Sequence, residues 1–182
     1  YSTFAGGKRL RPALALAAFE ACQGHGESIL LAACALEMTH TFSLIHDDLP
    51  CMDNDDFRRG RPTNHKVFGE AIAILAGDFL LVYVFELLSR TGRPECIITL
   101  ARALGTKGML GGQVVDIQSE GKKVGLETVN YIHRHQTAAL IEASLVLGAP
   151  LSGAEAAAIA ALSAFGNKMG LAFQIVYGVL VR

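Results

Sequence analysis

Five carboxylates fall within ten consecutive residues, 47–56, of a chain that is otherwise sparing with charge. They are Asp47, Asp48, Asp53, Asp55 and Asp56. Two carboxylates about 5 Å apart repel each other by about 3 kcal/mol at an effective dielectric constant near 20, so the cluster needs solvent, paired cations or a bound metal. Carboxylate oxygens without a matching set of Cys or His ligands suit Mg²⁺ or Mn²⁺, above all when a phosphate completes the ligand shell. The segment therefore predicts a site for a metal ion and a phosphate.

A long apolar helix is predicted to lead into this acidic segment, over residues 31–45. It would place Asp47 and Asp48 at its C-terminal end, just before Pro50. The helix dipole disfavours negative charge there by a few tenths to about 1 kcal/mol, and a local rule broken in this way is common at functional sites. The alternative is a solvated acidic loop neutralised by the cations that follow it, and the residues alone leave that alternative open.

Two basic segments accompany the acids. The first, residues 6–12, reads Gly-Gly-Lys-Arg-Leu-Arg-Pro and has three cations behind two glycines that allow close backbone approach. The second, residues 58–62, reads Arg-Arg-Gly-Arg-Pro and follows the acids directly. Arginine can bind two phosphate oxygens at once, so a polyanionic ligand would satisfy the metal and the cations together. The first segment lacks P-loop spacing, and a solvated basic face is its ordinary alternative.

The elements that must position these groups are predicted to be helices, since the chain is rich in Ala and Leu and almost lacks period-two alternation. The predicted helices cover residues 12–22, 28–48, 67–90, 94–118, 126–147, 154–165 and 168 onward. Pro12 and Pro94 suit first-turn positions, and Gly148 is predicted to follow the end of a helix. The chain is therefore predicted to be one all-α domain.

The composition excludes several classes of protein. With 16 Lys and Arg against 17 Asp and Glu, the net charge of −1 gives no general attraction for nucleic acid. Hydrophobic residues make up 51% and charged residues 18% of the chain, which is enough apolar material for one core. The apolar stretch 79–85 lies between Asp78 and Glu86 and is far shorter than the roughly 20 residues of a membrane span, so none is predicted.

The cysteine spacing indicates a reducing compartment. The cysteines are Cys22, Cys34, Cys51 and Cys96. They contain no C-x-x-C pair, so neither a zinc knuckle nor a disulfide framework is predicted. We expect a cytoplasmic location, with an organelle stroma as the alternative, because the chain opens on Tyr1 rather than Met and its natural N-terminus is expected to be missing.

Four motifs together resemble the trans-type short-chain polyprenyl diphosphate synthases, the farnesyl and geranylgeranyl diphosphate synthase family. Two of them are the basic segment 6–12 and the segment 46–60, which contains D-D-x-x-x-x-D followed by Arg-Arg-Gly. The others are Gly-Gln-Val-Val-Asp at 112–116 and Gly-Leu-Ala-Phe-Gln-Ile at 170–175. The match covers nearly the whole chain. Since family members extend further at both ends, residues 1–182 are expected to be a single domain truncated at both ends.

The resemblance implies an isoprenoid-synthase-like helical bundle around a deep apolar cavity. Asp47, Asp48 and Asp53 match the positions at which the family holds Mg²⁺ against an allylic diphosphate, and Arg58 matches the adjacent diphosphate contact. By the same resemblance, isopentenyl diphosphate would be held by Lys8, Arg11, His40 and Arg59. Thr137 and Gln174 match positions that line the reacting ends of the two substrates.

The resemblance also implies a reaction. Metal and cations stabilise the departing pyrophosphate, an allylic carbocation forms, and the double bond of isopentenyl diphosphate attacks it. Loss of a proton leaves a chain five carbons longer, and the apolar helices exclude water from the cation. We expect such an enzyme to act as a homodimer and to make farnesyl or geranylgeranyl diphosphate.

Two departures from the family pattern raise a second hypothesis. The family's second Asp-rich motif is replaced by a segment with Tyr177, Gly178 and Val181, and its Lys before Thr137 is Gln136. Either the chain is a non-catalytic subunit that modulates an active partner, or the sequence omits a segment after Phe-Gln-Ile-Val and continues with residues from elsewhere. The intact first motif and basic residues favour the second explanation, and with it an active enzyme.

A third class, the di-iron helical bundle, is suggested only by Glu37 and His40, which have E-x-x-H spacing. That class needs a second E-x-x-H, and the chain has none. We therefore interpret His40 as a packed or substrate-side residue and Glu37 as a partner for it.

Product length is predicted from the helix that ends at Asp47, because side chains about one turn earlier share a face with it. Phe42 lies five residues before Asp47 and Ser43 four before it. In this family a bulky aromatic at the former position resembles a floor that stops elongation, which favours farnesyl over geranylgeranyl diphosphate. The alternative is that Phe42 packs against a neighbouring helix and that the floor lies deeper.

Overall fold

Helices account for most of the chain in the computed structural model, which describes the backbone of residues 1–180 and the side chains of residues 1–176. The α-helices are α1 (Leu10–Ala21), α2 (Ser28–Asp47), α3 (Asn64–Phe68), α4 (Glu70–Ser89), α5 (Pro94–Leu104), α6 (Met109–Ser119), α7 (Leu126–Ile132), α8 (Ala139–Ser152) and α9 (Ala156–Leu180). A 3₁₀ turn (Ser2–Phe4) precedes them, and a π-helical segment (His133–Ala138) joins α7 to α8. Two short antiparallel strands, β1 (Phe57–Arg58) and β2 (Arg61–Pro62), form a hairpin after the acidic segment.

Helices α2 and α4 approach closely because Gly77 leaves room for His46. A Cβ atom at Gly77 would lie 2.1 Å from Nε2 of His46. That nitrogen donates a hydrogen bond to the carbonyl oxygen of Ile74, 3.1 Å away. One turn earlier on α2, the ring of Phe42 meets His46 edge to face, with centroids 6.0 Å apart. These contacts fix the last turn of α2, and with it Asp47, relative to α4.

The core lies where α2, α4, α5 and α8 meet. Its largest fully buried aliphatic side chains are Leu36, Leu88, Leu100, Leu140, Ile141 and Leu147. Burial of each such side chain stabilises the fold by about 1.5–3 kcal/mol. Helix α1 packs on α8 at Gly148, where a Cβ atom would lie 2.7 Å from the carbonyl oxygen of Ala15. The C-terminal end of α2 is therefore held in place by a densely packed core.

Three predicted helix boundaries are wrong, each for a structural reason. Helix α8 continues past Gly148, because this glycine serves the contact with α1 and does not end the helix. Helix α9 runs through the predicted break near residue 166, since Gly166 packs on α8, where a Cβ would lie 2.7 Å from Cα of Glu142. The predicted helix 94–118 is divided into α5 and α6 by a turn at residues 105–108.

Within the described residues, three helical segments are long and apolar enough to cross a membrane by length and composition: Ser28–Asp47, Glu70–Ser89 and Ala156–Val176. The prediction that no apolar stretch reaches that length is therefore wrong. It counted only uninterrupted apolar residues, whereas a longer segment stays apolar on average when it contains one or two charged residues. Of the apolar stretch in each of these helices, 56% is buried inside the bundle in α2, 33% in α4 and 11% in α9. The apolar character of α2 is thus largely explained by packing, whereas α4 and α9 keep exposed apolar faces.

All four cysteines are free, as their spacing predicts. Cys34 and Cys51 are exposed, and Cys96 is buried in the core. Burial, followed by the charge of Glu95, raises the pKa of the Cys96 thiol to about 11. The fold is therefore held by packing rather than by cross-links.

Candidate active site

The acidic segment folds back over the C-terminal end of α2. The backbone N–H of Asp53 donates to the carbonyl oxygen of Asp47 (2.8 Å), and the N–H groups of Met52 and Asn54 both donate to that of Leu49 (2.9 and 3.1 Å). Asn54 has a positive φ of 53°, a conformation that Asn tolerates better than most residues. This turn satisfies part of the helix end and brings Asp53 back beside Asp47.

The carboxyl groups of this turn destabilise one another's charged form. Burial raises the pKa of Asp47 to about 7, and the neighbouring charge of Asp53 adds to the shift, while Arg58 opposes it. Burial likewise raises the pKa values of Asp48 and Asp53. Within the described residues, neither Asp47 nor Asp53 forms an ion pair. Two carboxylates without an ion-pair partner at a helix end are a chemically suitable anchor for a divalent cation.

Asp48 is placed differently from its neighbours, because it faces Arg58 on β1. The Nε atom of Arg58 donates to Oδ1 of Asp48 (2.8 Å), and its Nη2 donates to Oδ2 of Asp55 (2.8 Å). The Asp48 residue is only 3% exposed. Among the described residues no three His, Cys, Asp or Glu side chains lie close enough together to hold a metal ion. The donor chemistry fits Mg²⁺, but Asp48 and Arg58 hold each other in this conformation.

A fourth carboxylate, Asp116 on α6, acts electrostatically on the same turn. Its charge raises the pKa values of both Asp47 and Asp53. Oδ2 of Asp116 accepts a hydrogen bond from Nε2 of Gln136 (2.8 Å), which also donates to Oε1 of Gln113 (2.5 Å). From sequence, Gln113 and Asp116 lie on a helix face that could border the cavity, and ordinary packing and capping roles are nearly as compatible with the sequence. The Gly-Gln-Val-Val-Asp motif at 112–116 was the sequence feature that favoured the cavity-lining role.

The basic residues gather around Glu37, on the same helix as the acids. Arg9 forms an ion pair with the nearly buried Glu37, and Nη2 of Arg59 lies 3.7 Å from its carboxylate. Arg59 also donates to the carbonyl oxygen of Gly6. A Cβ atom at Gly7, where φ is +123°, would lie 2.6 Å from Cζ of Arg59, so Gly7 permits a close approach, whereas nothing lies within 4 Å of a Cβ atom at Gly6. The two basic segments, 6–12 and 58–62, therefore meet in one place.

Arg11 and His40 lie inside this basic cluster. The Nε atom of Arg11 is buried without a hydrogen-bond partner among the described residues, and burial lowers the pKa of this guanidinium to about 10. Burial, and then the charges of Arg11 and Arg59, lower the pKa of His40 to about 3. His40 is therefore a neutral imidazole at physiological pH. A buried, incompletely paired guanidinium beside it is expensive unless an anion joins the cluster. Lys8 is exposed.

Thr137 and Gln174 lie on two elements that touch. Thr137 is in the π-helical segment, and α9, which carries Gln174, packs on that segment at Gly170. A Cβ atom at Gly170 would lie 2.5 Å from Cα of Ala138. Both side chains are half-buried. Short π-helical turns are frequent at functional sites, and this one carries Gln136 next to Thr137.

Phe42 is part of the core, with 3% of its surface exposed. Ser43 is half-buried, and its hydroxyl donates to the carbonyl oxygen of His40 (3.0 Å). The residues that replace the second Asp-rich motif, Tyr177, Gly178 and Val181, lie outside the residues whose side chains the structure describes. Sequence reasoning missed the role of Arg9, whose partner Glu37 lies 28 residues away.

The raised pKa of Asp47 predicts a pH-dependent stability for the metal-free protein. Between its ordinary value of 3.8 and about 7, the folded state holds a proton that the unfolded state has released, so stability falls as pH rises through this window. Asp47→Asn removes the penalty and should raise the free energy of unfolding by about 1–2 kcal/mol at pH 8. Denaturant unfolding in EDTA at pH 4 and pH 8 measures this. Asp56→Asn, which changes an exposed carboxylate, is the control. Equal stability of Asp47→Asn and wild type at pH 8 would contradict the prediction.

The polyprenyl synthetase family model matches residues 1–179 of the chain. The chain belongs to the polyprenyl synthetase family. A curated relative, the heterodimeric geranylgeranyl pyrophosphate synthase large subunit 1, chloroplastic, of Arabidopsis thaliana, is 53% identical over 192 residues. That match covers 99% of this chain and 52% of the relative, so the chain spans about half the length of the curated relatives it matches.

Two solved structures superpose closely on the chain. An FPP/GFPP synthase from Zymomonas mobilis gives a TM-score of 0.91 at 41% identity, covering 96% of this chain and 66% of that one. A geranyltransferase from Helicobacter pylori, complexed with magnesium and isoprenyl diphosphate, gives 0.88 at 42% identity, covering 94% and 61%. The predicted all-α, isoprenoid-synthase-like bundle and the predicted family are therefore confirmed.

Proposed function

We propose that the full-length protein is a prenyltransferase that condenses isopentenyl diphosphate with an allylic diphosphate in a Mg²⁺-dependent reaction. The observation that carries this proposal is the arrangement of charge on α2. His40 and its surrounding arginines lie about two helical turns from Asp47, so one helix presents a cationic and an anionic cluster side by side. Two diphosphates, one of them accompanied by a metal ion, would satisfy both clusters.

The acidic turn is proposed to hold the allylic diphosphate. Asp47 and Asp53 would coordinate Mg²⁺, and Mn²⁺ is the alternative ion with the same preference for oxygen ligands. When bound, the metal supplies Lewis-acid stabilisation of the departing pyrophosphate. Asp48 joins as a ligand if the diphosphate takes over Arg58, which Asp48 holds at 2.8 Å. The magnesium and isoprenyl diphosphate named for the Helicobacter pylori structure support this assignment.

The basic cluster is proposed to hold isopentenyl diphosphate. Arg11 and Arg59 would provide charge-assisted hydrogen bonds, Lys8 would add a cation, and neutral His40 would donate one N–H. The incompletely paired Nε atom of Arg11 supports the choice of an anionic ligand. Glu37 keeps Arg9 and Arg59 ordered before the substrate arrives.

The proposed reaction breaks the bond between allylic C1 and its diphosphate oxygen, and the electron pair leaves with pyrophosphate. The double bond of isopentenyl diphosphate then attacks C1, and loss of a proton from the adjacent carbon restores a double bond. Thr137 and Gln174 are proposed to line the reacting ends from the π-helical segment and α9. Excluding water from the cation is the task of the apolar helices.

Geranylgeranyl diphosphate is the proposed product, in place of the farnesyl diphosphate that Phe42 suggested. The name of the Arabidopsis relative supports the longer product. Phe42 is nearly fully buried in the core and meets His46 of the same helix edge to face, so its ring packs in the core instead of offering a free floor. Ser43, which is small and half-buried, stays a proposed chain-length position.

Phe42→Ala tests this assignment. Removing a buried phenyl ring should lower the free energy of unfolding by about 3–5 kcal/mol while leaving the product length unchanged. Product chromatography after incubation with labelled isopentenyl diphosphate measures the second effect, and denaturant unfolding measures the first. Longer products from Phe42→Ala would restore Phe42 as the floor.

A homodimer is proposed as the working assembly. Helix α4 exposes an apolar stripe at helical spacing, formed by Ile72, Leu75, Phe79 and Val82, each more than half exposed. A second copy of the chain could cover this stripe, whereas solvent exposure of so many large apolar side chains is unusual. The name of the Arabidopsis relative supports a heterodimer as the competing arrangement. Light scattering of the purified full-length protein distinguishes the two.

The second candidate function is a non-catalytic subunit, and the neutral Gln136 is the observation that favours it. Incubating full-length protein alone with isopentenyl diphosphate, an allylic diphosphate and Mg²⁺ tests both. Formation of a longer prenyl diphosphate supports the enzyme. If the protein makes no product on its own but increases the product of an active partner, the subunit is supported.

A plastid is the proposed compartment, since the Arabidopsis relative is named chloroplastic, and imaging a full-length fluorescent fusion tests this.

A further inference from the structure

We propose that Tyr1 is a positioning residue that fastens the β1–β2 hairpin, so that Arg58 and Arg59 stay in place when a diphosphate takes them from their carboxylate partners. The inference rests on the proposed function for the diphosphates, but its test does not need turnover. Tyr1 belongs to neither basic segment and lies next to the 3₁₀ turn Ser2–Phe4.

The hairpin adds no buried side chain to the core. Its residues 57 and 60–62 are exposed, and Arg58 and Arg59 are half-buried. A two-stranded hairpin is at best marginally stable in water by itself. Its position therefore depends on contacts with the rest of the chain.

The turn of the hairpin adds to this need, because β1 and β2 pair across a loop formed by Arg59 and Gly60. Their φ angles are +53° and +73°. A two-residue loop with positive φ at both positions favours Asn or Gly, so Arg is an unfavourable residue there. Such a conformation persists only where the surrounding structure holds it. The loop that carries Arg59 thus requires well-anchored strands.

The carboxylate partners of the arginines do not provide that anchor once a diphosphate binds. The Nε atom of Arg58 donates to Oδ1 of Asp48 (2.8 Å), and Nη2 of Arg59 lies 3.7 Å from the carboxylate of Glu37. A diphosphate competes with both carboxylates for the same guanidinium groups. A contact that holds the hairpin in the bound state must therefore lie away from these two guanidinium groups.

Tyr1 makes such contacts on β2 and just beyond it. Its hydroxyl donates to the carbonyl oxygen of Pro62 (2.6 Å). The Cζ atom of Arg61 lies over its ring, 4.5 Å from the centroid. The ring of Phe68 on α3 meets it edge to face, with centroids 5.3 Å apart. Tyr1 thus ties β2 to α3 without using Arg58 or Arg59.

The 3₁₀ turn holds Tyr1 from its other side. The hydroxyl of Ser2 accepts a hydrogen bond from Nδ2 of Asn64 (3.0 Å), and the carbonyl oxygen of Thr3 accepts one from Nη2 of Arg9 (3.0 Å). A cavity lies between this turn, α2 and the hairpin, and residues of all three line it. The cavity leaves room for the hairpin to move if the Tyr1 contacts are lost.

Limited trypsin digestion of the full-length protein tests how firmly the hairpin is held. Trypsin cleaves after arginine, and the bonds that follow Arg58 and Arg59 lie in the hairpin. Tyr1→Ala should raise the cleavage rate at these bonds about tenfold, because the ring contacts and the hydrogen bond are lost together. Tyr1→Phe, which loses only the hydroxyl, should raise it about twofold. Phe4→Ala is the matched control, because it removes an 87% exposed ring from the same turn.

Binding of inorganic pyrophosphate with Mg²⁺, measured by isothermal titration calorimetry, tests whether the arginines depend on this anchor. Tyr1→Ala should raise the Kd about fivefold, because the charge-assisted hydrogen bonds of both arginines need a fixed hairpin. Tyr1→Phe should restore most of the affinity, and Phe4→Ala should match the wild type. In a background with both Arg58→Ala and Arg59→Ala, Tyr1→Ala should cause no further loss.

Equal cleavage rates or equal pyrophosphate affinities in folded Tyr1→Ala and Phe4→Ala would each overturn the inference. If Tyr1→Ala does not fold, the same comparison is made with Tyr1→Phe. A further loss of affinity in the background without the two arginines, or a wild type that binds no pyrophosphate, would also overturn it.

Product formation by the wild type is scored separately. If the wild type makes no product but Tyr1→Ala is cleaved faster and binds pyrophosphate more weakly, only the proposed function is refuted. If the wild type makes product and Tyr1→Ala changes neither measurement, only the inference is refuted.

Discussion

Asp47→Ala is expected to lower turnover at least a hundredfold in the full-length protein while the fold survives. A hundredfold corresponds to about 2.7 kcal/mol of lost transition-state stabilisation, which is within the contribution of one metal ligand. Asp48→Ala should have a comparable effect, because it also frees Arg58, which Asp48 binds at 2.8 Å. Steady-state rates with saturating substrates and Mg²⁺ measure the loss, and circular dichroism checks the fold.

Asp56→Ala is the control for this prediction. Asp56 belongs to the same acidic segment, but its exposed carboxylate pairs with Lys66 at 2.7 Å. It should retain most of the activity. Full activity of the wild type in EDTA would contradict the prediction, since the acids would then be ordinary surface charges.

Arg11→Ala is expected to raise the KM for isopentenyl diphosphate about thirtyfold with little effect on the allylic substrate. A charge-assisted hydrogen bond is worth about 1.5–3 kcal/mol, which corresponds to a factor of about 10–100 in affinity. Arg59→Ala and Lys8→Ala should act on the same substrate, with a smaller effect for the exposed Lys8. Arg58→Ala should instead raise the KM for the allylic diphosphate.

Initial rates measured with each substrate varied in turn separate these effects. Arg90→Ala is the control, because Arg90 pairs only with Glu86 on the exposed side of α4 among the described residues. If Arg11→Ala, Arg59→Ala and Arg58→Ala all weakened both substrates equally, the assignment of two separate diphosphate sites would be wrong.

The chemistry of the site could be predicted from sequence where it depends on residues close together in the chain. The acidic turn is such a case, because the backbone hydrogen bonds that bring Asp53 beside Asp47 join residues only a few positions apart in the chain. The close approach permitted by Gly7 is another prediction that the structure confirms, although its partner Arg59 is distant. The resemblance carried by these motifs was sufficient to identify the family.

The roles of individual charges could not be predicted in this way. Asp48 looks equivalent to Asp47 in sequence, yet it is buried against Arg58. Arg9 looks equivalent to Arg11, yet it pairs with Glu37 and leaves Arg11 incompletely paired. Each distinction depends on which side chain reaches an oppositely charged group, and that group lies elsewhere in the chain.

Helix periodicity and short motifs are local properties, and they were enough to predict the all-α class, the family and where the acidic and basic clusters lie along the chain. They could not predict that Phe42 is buried in the core, that α9 runs on through Gly166 or that Gln136 holds Asp116. All three features have the same cause. A side chain's role is set by the free energy of the contacts it makes across the bundle, and those contacts join residues whose separation in sequence leaves no local pattern.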